Sequence, residues 1–112
     1  MDVDAREGNA VIVVRTVFQA QFGKGGELAA LQAETSQVLM RELGVQRKWR
    51  LLTDLSGPFD TVVLEIEVES LAEWEQTRPR LFHSQAFRES MQRTQGLIVN
   101  GRNEVYTIEA EG

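Results

Sequence analysis

The sequence contains no cysteine, a single histidine, a single tyrosine and only two prolines in 112 residues. Without cysteine there is no disulfide framework, no thiolate nucleophile and no cysteine metal site. A reducing cytoplasm is the compartment that fits. With one histidine, a zinc site would have to draw its remaining ligands from carboxylates alone, so no metal is expected. No apolar stretch approaches the roughly 18 residues needed to cross a bilayer. The first ten residues, MDVDAREGNA, hold no apolar run, so a secretory leader is not expected. Basic residues are in deficit, 12 against 17 acidic, for a formal net charge of −5. That balance provides no basic patch for nucleic acid. The glycine-rich FGKGGE, Phe22 to Glu27, lacks the GxxxxGK[ST] spacing of a phosphate cradle and reads as a tight strand-to-helix turn.

What the sequence does hold is one domain's worth of patterned elements over residues 10–112, after a polar and loose segment at 1–9. VIVVRTVF, Val11 to Phe18, is β-branched and apolar and predicts a strand. Leu28, Leu31, Val38, Leu39 and Leu43 recur at helical spacing and predict a helix over Glu27 to Leu43, with Gly44 as its stop. Val45 to Leu55 and Thr61 to Glu69 predict a strand hairpin around SGPFD. SLAE, Ser70 to Glu73, is a capping box that opens a second helix. Pro79 lacks a donor and clashes with the preceding turn, which predicts a stop or kink near Arg78. Ser84 is placed to cap a further piece, Gln85 to Thr94. A last strand is expected within Leu97 to Glu109, mainly from Arg102, beyond the turn or bulge signal Asn100-Gly101. The order β-α-β-β-α-β predicts an α+β, ferredoxin-like fold with a four-stranded antiparallel sheet and a second helix broken near Pro79.

Side-chain alternation predicts which sheet face meets the helices. Val62, Leu64, Ile66 and Val68 form a uniformly apolar set and should face them. The first strand is apolar on both faces apart from Arg15 and Thr16, whereas a strand with one wet face alternates more clearly. The bare face is therefore expected to be covered by a second copy of the sheet. Arg15, Arg50 and Glu65, with Glu67 nearby, would lie in or beside that homodimer interface.

Three stretches carry a resemblance that spans about residues 10 to 110: VIVVRTVFQAQFGKGGELAAL, LLTDLSGPFDTVVLEIEVESLAEWE, and SQAFRESM with the closing NEVYTIEA. In these the chain resembles the dimeric α/β-barrel superfamily, and within it the NIPSNAP-like branch, related to the antibiotic-biosynthesis monooxygenases. The resemblance implies a homodimer with sheets packed face to face and a small pocket between sheet and helices. It implies no single activity, because fold and function are separable. It leaves open the binding of a small, partly apolar molecule, a cofactor-independent monooxygenase or isomerase acting on an aromatic or polyketide-like substrate, and a non-catalytic assembly module.

The candidate pocket walls are Trp74, Phe82, Phe87 and Met91, with Arg78 placed to lie over the Trp74 ring. His83, the one side chain with an unperturbed pKa near neutrality, is the candidate acid–base group. The same crowding of rare residue types also describes two helical pieces gripping one core. The haem-degrading branch is a poor match. Trp74 falls where that family's Trp would lie, but its His position falls near Met91 rather than His83, and the first strand offers Phe18 or Thr16 in place of its Asn. No cofactor is therefore expected.

Overall fold

The computed structural model describes residues 10–45 and 47–112. The expectation for residues 1–9 lies outside the described residues. The elements are β1 (Ile12–Ala20), α1 (Gly25–Glu42), β2 (Trp49–Thr53), β3 (Thr61–Val68), α2 (Leu71–His83), α3 (Gln85–Thr94), a single 3₁₀ turn (Gln95–Leu97) and β4 (Ile98–Thr107). The sheet order is β2-β3-β1-β4 with every pairing antiparallel. This is the α+β, ferredoxin-like arrangement expected from the sequence, with all helices on one face. Among the described residues no helix is long and apolar enough to cross a membrane.

The β-branched runs that predict β1 and β3 become the central strands, because only strands buried between neighbours need apolar residues along their length. Val62, Ile66 and Val68 are buried under the helices, and Leu64 is half-buried beside them. The core has two parts. Ile12, Val14, Leu39, Met40, Ile66 and Val68 form one, and Ala20, Leu28 and Val62 form the other. Val38 does not join either. It is 41% exposed, because it lies about 100° round the helix from Leu39.

Strand β2 is shorter than the predicted Val45 to Leu55. Gly44, at φ 68°, ends α1 with a Schellman-type cap: its N–H donates to the Arg41 carbonyl, and Val45 N–H donates to the Met40 carbonyl at 3.0 Å. Val45 is thus tied to the helix it follows and is not free to pair.

Helix α2 starts as expected, with Ser70 Oγ accepting from Glu73 N–H at 3.1 Å. It then runs through Pro79, and the break falls at Ser84 instead of near Arg78. Proline removes one donor, on an exposed turn where water reaches the orphaned carbonyl. The residues beyond it are anchored: Leu81 packs against the core, and Phe82 sits edge-on to Phe87 with ring centroids 5.3 Å apart. Ser84 is extended (φ −68°, ψ 135°), and its hydroxyl donates to Glu42 Oε2 at 3.0 Å rather than capping α3. It therefore staples the helix joint to the end of α1.

The Gly-rich turn before α1 is occupied from within. Asp60, in the β2–β3 loop, accepts from Gly23 N–H at 2.8 Å and from Gly25 N–H at 2.9 Å. It acts as a non-local N-cap, with its charge at the positive end of the helix dipole. A Cβ at Gly25 would lie 2.7 Å from Asp60 Oδ1 and 2.8 Å from its Cα. Asp60→Ala is expected to cost about 1–2 kcal/mol in denaturant unfolding. Gly25→Ala should also destabilise, although helix propensity alone favours Ala by about 1 kcal/mol.

Candidate functional site

Helix α1 crosses the sheet with an inward stripe that is apolar at its two ends and polar between them. Leu28 belongs to one core cluster and Leu39 and Met40 to the other. Between them Gln32, Thr35 and Ser36 occupy the same face at helical spacing. Helix α3 repeats the device: Phe87 and Met91 share a face with Ser90 and Thr94, both of which are buried. Small polar residues thus stand where large apolar ones would close the core. The result is a cavity of about 260 Å³ between sheet and helices.

Its walls combine all the layers. Helix α2 contributes Trp74, Arg78, Leu81 and Phe82, which one helical face presents together. Thr16, Phe18, Leu64 and Ile66 from the sheet form the floor. The lining residues Arg78, Phe82, Met91 and Asn103 are exposed and mark the mouth. Thr16 Oγ1 donates to Asn103 Oδ1 at 2.8 Å, across the β1–β4 pairing that sets them opposite each other. Thr94 Oγ1 donates to the Ser90 carbonyl at 2.8 Å. Thr35, Ser36 and Ser90 are only 9%, 1% and 7% exposed. Their hydroxyls form no hydrogen bond with another described residue. The hydroxyls of Thr35, Ser36 and Ser90 line the cavity, where a polar group of a bound molecule can meet them.

All four candidate wall residues, Trp74, Phe82, Phe87 and Met91, line this cavity. His83 does not; it is exposed at the C-terminal end of α2. Arg78 lies 5.5 Å from the Phe82 ring centroid rather than over Trp74. The sequence reading missed the polar lining. Its signal was present in the interruption of the α1 apolar stripe by Gln32, Thr35 and Ser36.

A second cavity of similar size lies on the other side of Trp74. Met40, Ile66, Trp74 and Leu81 line both. The second cavity differs in its charge, being lined by Arg47, Glu67, Glu69 and Glu73. Arg47 pairs there with Glu69 at 2.8 Å and with Glu67 at 3.6 Å.

On the opposite sheet face the strand register sets Arg50, Glu65, Arg15 and Glu104 in one row across β2, β3, β1 and β4. Their signs alternate. Glu65 receives Arg50 Nε at 2.7 Å and lies 3.1 Å from Arg15 Nε. The Arg15 contact is an ion pair by distance, yet that buried N–H makes no hydrogen bond to any described residue. Arg102 and Tyr106 donate to Glu104, at 2.8 and 3.0 Å. These bonds, Arg102 first, hold its carboxyl below the usual carboxylate range. Its favourable interactions are complete above that usual range and are lost as pH falls through the lowered value. Beside this row runs an apolar one, Leu52, Val63 and Val17.

No protein-family model and no curated protein sequence matches the chain. Solved structures do match. A NIPSNAP-like domain protein from Burkholderia xenovorans is 18% identical, with a TM-score of 0.76 over 93% of this chain and 91% of that one. A NIPSNAP family protein from Agrobacterium tumefaciens is 20% identical, with a TM-score of 0.73 over 86% and 90%. A cofactor-independent oxygenase from Streptomyces nogalater is 12% identical, with a TM-score of 0.67 over 91% and 96%. The chain has the fold these proteins share, and the resemblance read in its sequence points to the same group.

Proposed function

We propose that the chain is a NIPSNAP-type protein that binds a small, partly apolar molecule in its helix–sheet cavity. The observation that carries this reading is the cavity itself: about 260 Å³, walled by aromatic rings and edged by the hydroxyl residues Thr35, Ser36 and Ser90. Mostly apolar walls with a few placed polar groups are the usual composition of a ligand site. A closed-core assembly module has no use for such a space. Ser90→Leu should fill it. In a calorimetric screen of one- and two-ring aromatic compounds, the wild type is expected to bind at least one, and Ser90→Leu to lose that binding while remaining folded. Failure of every compound to bind the wild type would contradict the reading.

Catalysis is the second reading, supported by the fold shared with the cofactor-independent oxygenase. Turnover of a quinol in air without added cofactor tests it. Loss of that turnover in His83→Ala would assign the acid–base role to His83, whose present position outside the cavity lining gives it no contact with a ligand bound there.

The same proposal includes a homodimer formed by the bare sheet face. The protomer is one sheet and one helix layer, 21 Å across its shortest dimension. A row of alternating charges beside an apolar row is self-complementary under a two-fold axis. A partner acceptor would also satisfy Arg15 Nε. The cavity lies on the opposite side of the sheet and stays accessible. The absence of cysteine supports a cytoplasmic setting.

A further inference from the structure

The charge of the cavity selects its ligand more narrowly than its shape does. Among the described residues that line the cavity, Arg78 is the only charged one. No carboxylate of the described residues lines the cavity, in contrast to the acid-rimmed space behind Trp74. Arg78 is also uncommitted. Among the described residues it makes no ion pair and no hydrogen bond, and its one recorded contact is with the face of the Phe82 ring. Glu75, one turn earlier on the same helix, does not pair with it. An aromatic face holds a guanidinium in place without using its N–H groups. The fork of donors at the mouth is thus positioned by the ring and makes no hydrogen bond to another described residue. Deeper in, Ser36 and Ser90 offer hydroxyls, and the walls between are Trp74, Phe82 and Phe87.

We propose that the cavity is specific for one- or two-ring aromatic monocarboxylates, with the carboxylate on Arg78 at the mouth and the ring among Trp74, Phe82 and Phe87. This rests on the ligand-site reading above. A guanidinium fork matches a carboxylate in a two-bond geometry that a neutral group does not reproduce. An ammonium group would meet a cation with no acid to offset it. The volume suits a small ligand: it lies just under the range of about 300–1,000 Å³ typical of sites for drug-sized ligands.

The test is titration calorimetry with three compounds of one shape: 2-naphthoate, 2-naphthamide and 2-naphthylmethylammonium. Wild-type protein is expected to bind the naphthoate about tenfold or more tightly than the amide, and the ammonium more weakly still. Arg78→Gln should remove the naphthoate's advantage, with a much smaller loss for the amide, which forms only a neutral-acceptor bond to the guanidinium. Lys48→Gln, on the other sheet face, should leave the preference intact and so exclude a general charge effect. Equal binding of all three compounds, or a preference that survives Arg78→Gln, would overturn the carboxylate assignment while leaving the ligand site standing. Binding of none of the three would also overturn the carboxylate assignment, while the ligand site itself falls only if the wider screen of one- and two-ring compounds finds no binder.

Discussion

Trp74→Ala is expected to lower the free energy of unfolding by about 3 kcal/mol, at the low end of the range for aromatic truncations because the ring is only half-buried. It is also expected to change the ligand. Trp74 stands between two cavities of about 260 Å³ each, and both are walled by Met40, Ile66 and Leu81 as well. Removing the indole should join them into one space of roughly twice the volume. Larger aromatics should then gain affinity, and two-ring compounds should lose it because one wall is gone. Calorimetry beside denaturant unfolding reads both effects. A stability loss without any change in size preference would mean that Trp74 is a core residue only.

Glu65→Ala is expected to dissociate the proposed dimer. Glu65 is the anion between two cations, its side chain only 14% exposed, with Arg50 at 2.7 Å and Arg15 at 3.1 Å. Once a second sheet covers this face, removing Glu65 leaves two buried guanidiniums facing each other. Breaking a buried ion pair costs about 3–5 kcal/mol, enough to raise a dimer dissociation constant more than about a hundredfold. Sedimentation equilibrium should show wild-type dimer and mutant monomer at the same micromolar concentration. Arg15→Met alone should weaken association too. Combining it with Glu65→Leu should cost less than the sum of the singles, because uncharged apolar replacements remove the desolvation burden of both partners. A wild type that stays monomeric would remove the dimer, and a dimer indifferent to Glu65 would move the interface elsewhere.

The fold was legible because its signals are local and mutually consistent. Gly44 stops α1, Ser70 starts α2, and the alternation in Val62, Leu64, Ile66 and Val68 names the helix-facing side of β3 without any tertiary information. The misreadings arose where tertiary contacts overrode a local rule. Pro79 is tolerated because Leu81 and Phe82 beyond it are held by the core and by Phe87. Ser84 serves Glu42 on another helix rather than its own backbone. Asp60 caps a helix that begins 35 residues earlier, an arrangement that no pattern of spacing reveals. The aromatic walls of the site could be read from helical periodicity. Its polar half was legible only in part: Thr35 and Ser36 interrupt the apolar stripe of α1, but Ser90 and Thr94 look like ordinary surface residues until two helices turn them toward the same gap. Arg78 was visible as a partner for an aromatic ring, but which ring depended on the uninterrupted course of α2 through Pro79.

The central claim is that the gap between the two halves of the core is a ligand site. Two-dimensional amide NMR during titration with 2-naphthoate tests it residue by residue. The largest shifts are expected at Thr16, Ser36, Phe82, Ser90 and Asn103, on five elements that come together around the cavity, with β2 and the outer-face charges undisturbed. Shifts scattered over the surface, or confined to the row of alternating charges on the opposite sheet face, would contradict it.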